Sequence, residues 1–157
     1  RYSLKTITFF IFSVCVFFYS NYVTLDHYGK DGVFISKLHV HSQSKGLWNS
    51  LIKLTFDHGN YTSDVYLEGS GIDEMAIFRD KGKILNYENG YYTLYSDVEI
   101  LQQAKVINLK EAELYTRLLF SSKQNFSYKS KIIYEDRNIF ILEIGKNKHI
   151  HMFIRQE

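Results

Sequence analysis

The sequence predicts a mainly-β domain, an antiparallel barrel or sandwich with one helix, that follows an N-terminal transmembrane helix. Three observations carry this prediction. A long uncharged stretch comes first, short runs of alternating apolar and polar residues follow, and one later segment has helical periodicity. We therefore divide the chain into a stub at residues 1–5, a membrane span at residues 6–25 and a folded domain at residues 26–157.

The predicted span, Thr6 to Leu25, contains no charged residue and has the length that a helix needs to cross a bilayer core. Arg1 and Lys5 precede it and Asp26 follows it, so the positive-inside rule places the short N-terminus in the cytoplasm and the domain across the membrane. No small-x-small cleavage site follows the apolar run. We expect an uncleaved signal anchor.

Composition limits what the exported domain can be. Cys15 is the only cysteine and lies within the span, where a small apolar residue is a simpler interpretation than an intermolecular disulfide. The domain therefore has no internal disulfide, which favours a bacterial periplasm and a single-pass inner-membrane protein over a eukaryotic secreted one. The net charge is only +2 and the basic residues are scattered, so direct binding of nucleic acid is not expected.

The residues after Asp26 alternate in the way that strands of a half-buried sheet do. In the second run Trp48, Ile52, Leu54 and Phe56 share one face with Ser50, which predicts one buried and one wet face. The predicted strands are Val33 to His41, Leu47 to Phe56, Tyr61 to Leu67, Met75 to Arg79, Lys83 to Tyr87, Tyr91 to Val98, Phe126 to Tyr134, Ile139 to Ile144 and His149 to Arg155.

Turn signals separate these runs and predict antiparallel hairpins, because they supply residues that tolerate positive φ. They are Asp57-His58-Gly59-Asn60, Asp80-Lys81-Gly82-Lys83, Asn89-Gly90 and Gly145-Lys146-Asn147-Lys148.

One segment, near residues 109–121, breaks the strand period. Asn108 and Glu111 have the spacing of a capping box. The apolar residues that follow recur at helical spacing and are Leu109, Ala112, Tyr115, Leu118 and Leu119. We expect this stripe to close one end of the sheet, and an exposed partner-binding face is the alternative.

The sequence carries little that resembles catalytic chemistry. It has no glycine-rich phosphate loop, no nucleophile elbow and no cysteine in the exported domain. The adjacent pair Asp73-Glu74 diverges on a strand or turn, so joint acid–base work is not expected. We predict a protein that is not an enzyme and needs no cofactor or metal.

Histidine is the unusual residue. His39 and His41 share one face of the first predicted strand, and His149 and His151 share one face of the last. If these strands are neighbours, four imidazoles could come together as a pH-responsive cluster or as a transition-metal site, or they could be solvated on edge strands. We take all four as pH-sensing candidates.

This layout of a short cytoplasmic stub, one N-terminal span with a lone cysteine and a small β-rich domain resembles the ToxS-type co-regulators of ToxR-like membrane transcription activators. The likeness is strongest to their PsaF/MyfF-like members and looser to the VtrC-like ones, and it rests on architecture and size.

The resemblance implies a lipocalin-like barrel that forms a heterodimer with the periplasmic domain of the activator, which holds the DNA-binding domain. It implies control of virulence or fimbrial genes in response to acidity or a bile-type ligand. A membrane-anchored barrel that binds a small amphipathic ligand or metal, with no transcription-factor partner, is the alternative.

Overall fold

The structure, a computed structural model, describes residues 11–19, 31–42, 46–123, 125–144 and 149–156. Residues 11–19 form a helix, α1, whose side chains are exposed. The rest of the predicted span, the stub and the turn at Gly145 to Lys148 lie outside the described residues. Within the described ranges, no helix has both the length and the apolar character needed to span a bilayer.

Eight strands and a second helix make up the remainder. They are β1 (Gly32–Ser42), β2 (Gly46–Asp57), β3 (Asn60–Gly69), β4 (Ala76–Glu88), β5 (Tyr91–Gln102), α2 (Glu113–Ser121), β6 (Phe126–Glu135), β7 (Ile139–Ile144) and β8 (His149–Arg155).

Each strand pairs antiparallel with the next, and β8 returns to pair with β1, so the sheet closes into an eight-stranded up-and-down barrel of the lipocalin-like kind. A barrel leaves no free sheet edge where its closing strands pair. The predicted mainly-β antiparallel domain with one helix is confirmed, and of the two predicted architectures the barrel is the correct one.

The prediction of two short strands around a turn at Asp80 to Lys83 is wrong, because β4 runs through without a break. Gly82 pairs with Tyr61 on β3 and with Ser96 on β5. A Cβ at Gly82 would collide with the carbonyl oxygen of Tyr95 and lie 2.6 Å from a ring carbon of Tyr61. The glycine serves close packing inside a strand rather than a change of direction.

Two other glycine turns are where the sequence predicts them. His58 and Gly59 between β2 and β3 have φ of 48° and 78°, and Asn89 and Gly90 between β4 and β5 have φ of 54° and 81°. Both pairs form two-residue hairpin connections that need positive φ.

The helix begins later than predicted. Asn108 and Glu111 do contact each other, from Nδ2 to Oε1 at 3.1 Å, but this contact stabilises a turn and α2 begins at Glu113. Leu109 is exposed, whereas Ala112 and Tyr115 are fully buried and Leu118 and Leu119 pack beside them. The expectation that the apolar stripe closes one end of the sheet is met from Ala112 onward.

Alternation along the strands decides what lies inside. Residues at even positions of β2 point inward as predicted, from Trp48 to Phe56, and line the barrel interior. Buried residues form two clusters. One, at the end of the barrel next to α2, includes Trp48, Phe78 and Tyr115, and the other, at the opposite end, includes Phe34, Phe140 and Phe153.

Candidate functional site: the barrel cavity

The barrel encloses a cavity of about 490 Å³. Its wall consists of inward side chains of all eight strands and of one face of α2, and apolar side chains predominate. This volume lies within the range of small-molecule sites, which combine apolar walls with a few polar groups. The interior is thus the candidate functional site.

An aromatic plug closes the end of the barrel that carries the β2–β3, β4–β5 and β6–β7 turns. Phe34 meets Phe140 edge to face at 4.8 Å between ring centroids, and Phe140 stacks on Phe153 at 4.8 Å. Phe56 contacts both Phe34 and Phe140. Ring packing of this kind is dense and excludes water, so the plug forms the floor of the cavity.

Helix α2 covers part of the other end and is anchored by two hydrogen-bonded aromatic residues. Tyr115 donates its hydroxyl to the carbonyl of Ala104 at 2.6 Å and accepts the Ala104 N–H at 3.1 Å. The indole N–H of Trp48 donates to the carbonyl of Glu111 at 3.0 Å. The Tyr115 hydrogen bonds join α2 to the β5–α2 connection, and the Trp48 hydrogen bond joins β2 to the turn just before α2. Together they hold the helix against the rim of the barrel.

The cavity face of α2 carries Glu113, Arg117, Leu118 and Ser121. Arg117 Nη2 lies 2.6 Å from Glu113 Oε1, a pair one helical turn apart. The two charges at this end therefore neutralise each other.

A polar cluster on the wall surrounds Asp80. Tyr61 donates its hydroxyl to Asp80 Oδ2 at 3.2 Å, and Ser96 donates to Asp80 Oδ1 at 2.7 Å. The Tyr61 hydroxyl also donates to the carbonyl oxygen of Tyr95 at 3.1 Å, and it interacts with the hydroxyl of Tyr128. An acid with neutral hydroxyl neighbours is thus held on a predominantly apolar cavity wall.

Burial sets the protonation of this cluster. Burial raises the pKa of the Asp80 carboxyl above its usual value, and the hydrogen bonds from Ser96 and Tyr61 oppose that shift. Burial likewise raises the pKa of the hydroxyls of Tyr61 and Tyr128. Both tyrosines are therefore neutral hydrogen-bond donors throughout the physiological pH range.

Two further polar atoms of the cavity wall have no hydrogen-bond partner among the described residues. They are the hydroxyl oxygen of Ser130, which is fully buried, and Nδ1 of His151. Buried polar groups are almost always hydrogen-bonded, because an unpaired one carries its full desolvation cost. A molecule in the cavity that bonds to these atoms would remove that cost.

The four predicted histidines do not form one cluster. β1 and β8 are neighbours, but His39 points outward and contacts Asn49 Oδ1 through Nδ1 at 2.8 Å, whereas His149 and His151 line the cavity. The side chain of His41 lies outside the described residues. Periodicity relates positions within one strand, and only the register between strands shows that His39 faces the opposite side of the wall from His149 and His151.

Burial, and then the neighbouring His149, lowers the pKa of His151. The ring of His151 lies 6.2 Å from that of Phe153, in apolar surroundings that disfavour the charged form. His151 is therefore a neutral cavity residue at neutral pH.

The junction of β1 and β8 is short. In the described residues it comprises two residue pairs, Phe34 with Arg155 and Ile35 with Ile154, whereas β1 and β2 form eleven. Next to this junction, the outer face of the barrel carries a group of exposed or half-buried aliphatic side chains. They are Ile35, Ile139, Ile141, Ile150, Met152 and Ile154, and we call them the outer aliphatic patch.

Among the described residues, one group of potential metal ligands lies near the plug end, where ligand atoms of Asp31, Asp57 and His58 lie within 4.8 Å of one another. All three residues are exposed. His58 Nδ1 lies 2.5 Å from Asp57 Oδ1, and the His58 N–H donates to Asp31 at 2.8 Å. Hydrogen bonds among the three side chains and the turn account for this arrangement.

Asp80 is the site residue that the sequence analysis missed, because it was assigned to a turn. The alternation of the segment contained the signal. Phe78, Asp80, Gly82 and Ile84 fall on one face and Arg79, Lys81 and Lys83 on the other, which is the pattern of a continuous strand with an acid on its inner face.

No protein-family model matches this chain, and a search of the curated proteins finds no match.

Proposed function

We propose that this barrel is the sensory domain of a membrane-anchored co-regulator and that it binds a small amphipathic molecule in its cavity. The observation that supports ligand binding best is the cavity of about 490 Å³ with an apolar wall and a few inward polar groups. A bile-type ligand is one candidate from the sequence. The proposal assigns no catalytic step to the protein.

The size of the cavity and the polar atoms on its wall favour a bound ligand. Closely packed interiors leave few voids larger than a water molecule, and a large cavity with a mainly apolar wall can take up an apolar molecule. Ser130 and His151 add polar atoms that need a partner. A ligand with an apolar body and a hydrogen-bonding group would match both features of the wall.

Cavity filling tests this proposal. Ser63 is a small residue on the cavity wall, and Thr62 is its outward neighbour on β3. We expect the full chain to bind a bile salt or a neutral amphiphile, with a change in the fluorescence of Trp48. The substitution Ser63→Phe should weaken binding about tenfold or more, whereas Thr62→Phe should leave it unchanged. Equal affinity in both variants would contradict binding inside the barrel.

We further propose that the protein pairs through this domain with a ToxR-like membrane-bound activator. The short junction of β1 and β8 beside the outer aliphatic patch supports this. A strand edge offers backbone donors and acceptors, and a partner strand there would gain hydrogen bonds while covering apolar side chains. The activator would contact DNA, so this chain would stabilise its partner and control virulence or fimbrial genes indirectly, from the periplasmic side of the inner membrane.

Co-purification with a candidate activator tests the pairing. The substitution Met152→Lys places a charge in the outer aliphatic patch, and Thr62→Lys makes a matching change on the outer face of β3. We expect Met152→Lys to reduce recovery of the activator about tenfold and Thr62→Lys to leave it unchanged. Recovery unaffected by Met152→Lys would exclude this surface.

The histidines supply a proposed response to acid. Replacing His149 and His151 by Gln should flatten the dependence of ligand or partner binding on pH between about 5 and 7.5, where imidazole titrates. His39→Gln is the matched control, since His39 lies on the outer face. If the double variant keeps the full pH dependence, the response does not come from these rings.

A further inference from the structure

We propose that the cavity takes an organic cation with an apolar body, an ammonium compound, whose charged nitrogen is held by the carboxylate of Asp80. This inference rests on the proposed binding of a ligand inside the barrel and names its chemical class. The apolar wall accounts for the apolar body of the ligand, but it does not by itself determine the charge of the ligand's head group.

The charge balance of the cavity is the first argument. Two acids line it, Asp80 and Glu113, and Glu113 is paired with Arg117 at 2.6 Å. Among the described residues no basic side chain forms an ion pair with Asp80. Its two basic neighbours on β4 lie on the outer face, where Arg79 binds Asp64 at 2.7 Å and Lys81 lies 3.4 Å from Glu99. Among the described residues, Asp80 is thus the cavity carboxylate without a cationic partner.

The surroundings of Asp80 are the second argument. Its oxygens accept hydrogen bonds from the neutral hydroxyls of Tyr61 and Ser96, yet the residue is only partly buried and lines the cavity. Removing a carboxylate from water is costly unless a counter-charge accompanies it. Because the described part of the barrel provides no counter-ion, an incoming ammonium group is the partner that lowers this cost most.

The aromatic content of the wall is the third argument. Trp48, Phe78, Phe126 and Tyr128 all line the same cavity as Asp80. Aromatic faces attract cations, and recognition sites for quaternary ammonium ligands are built from such rings. An anionic amphiphile would have to keep its head away from Asp80, at the helix end beside Arg117.

Three ligands with the same apolar body separate these cases: 4-phenylbutylamine, 4-phenylbutanol and 4-phenylbutanoate. Trp48 is the only tryptophan of the chain and lines the cavity, so its fluorescence reports occupancy directly. In the full chain at pH 7.5 we expect the amine to bind about tenfold more tightly than the alcohol, the ratio that a charge-assisted hydrogen bond supplies, and more tightly still than the carboxylate.

Variants assign the preference to one carboxylate. Asp80→Asn should reduce the ratio of amine to alcohol affinity to about one, and Asp80→Glu, which keeps the charge, should retain most of it. Glu99→Gln likewise turns an acid into an amide, at an exposed position of β5 that lies 3.4 Å from Lys81, and should leave the ratio unchanged.

A measurement on the unmodified chain is independent of any variant's folding. Lowering the pH through the titration range of Asp80 should weaken binding of the amine and leave binding of the alcohol unchanged. The amine itself stays charged in that range, so the loss would come from protonation of the carboxylate. The groups that face Asp80 are Tyr61, Ser96, Tyr128 and Asp97, and the three hydroxyls do not become charged in that range. The Asp97 carboxylate is controlled by repeating the titration with Asp97→Asn. The histidines that line the cavity, His149 and His151, are controlled by repeating the titration with both replaced by Gln.

Equal affinity for all three ligands, or a preference for the carboxylate, would overturn the inference and leave ligand binding intact. An amine preference that persists in Asp80→Asn would also overturn it. If none of the three ligands changes the fluorescence of Trp48 up to its solubility limit, this inference and the proposed binding function both fail.

Discussion

The ring of Tyr61 lies directly over Gly82, and this packing places the Tyr61 hydroxyl oxygen 3.2 Å from Asp80 Oδ2. A glycine inside a strand is unfavourable by itself, because it adds conformational entropy to the unfolded chain and has no side chain to pack. Here it makes room for a neighbouring ring, and through that ring it positions the polar cluster of the cavity.

The first prediction follows from this contact. Gly82→Ala should lower the free energy of unfolding by about 2 kcal/mol or more, since the added methyl collides with backbone as well as with the Tyr61 ring. Gly59→Ala is the control: its Cβ would meet nothing within 4 Å, and its φ of 78° should cost only about 1 kcal/mol. Urea unfolding followed by Trp48 fluorescence measures the free energy of unfolding of both variants. Equal decreases in Gly82→Ala and Gly59→Ala would contradict the packing role of Gly82.

The second prediction concerns Tyr115, whose hydroxyl serves both backbone groups of Ala104. Tyr115→Phe leaves a buried N–H and a buried C=O without that partner, so the free energy of unfolding should fall by about 1–3 kcal/mol. Tyr134→Phe removes an exposed hydroxyl that donates to Asp136, and the change should be within about 0.5 kcal/mol. If the two variants unfold at the same urea concentration, Tyr115 does not anchor the helical region through its hydroxyl.

The third prediction concerns Asp80 and rising pH. Burial raises its pKa in the folded barrel, so the folded state binds a proton more tightly than the unfolded state does. The stabilising contribution is complete below the usual carboxyl pKa near 3.8 and is lost as the pH rises through the raised value. The difference in unfolding free energy between the unmodified chain and Asp80→Asn should therefore decline with pH across this window.

The fourth prediction concerns His151, and its sign is opposite. Burial lowers the pKa of His151 in the folded barrel, so folding favours the neutral ring. Its contribution is present above the usual imidazole pKa of 6.5 and is lost as the pH falls through 6.5 towards the lowered value. His151→Gln should reduce the loss of stability between pH 7.5 and 5, and His39→Gln, on the outer face, should not. A steeper loss in His151→Gln would reverse the assignment.

Local signals in the sequence determined most of the secondary structure. The alternation of apolar and polar residues located seven of the eight strands within a few residues, and the positive φ that hairpins need identified the turns at His58-Gly59 and Asn89-Gly90. The inner face of β2 was also predictable, because a period of two fixes which residues share a side once Trp48 is buried. These are properties of neighbouring residues, which a sequence states directly.

Only the tertiary structure decided the site. Asp80 and Gly82 have the composition of a turn, and the ring of Tyr61 from another strand is what makes the glycine a packing residue and the aspartate a cavity residue. His39 and His151 likewise have similar local sequences, yet the register that closes the barrel places one outside and the other inside. Contacts between strands distant in sequence set these roles, because side-chain direction in a closed sheet depends on pairing as well as on local periodicity.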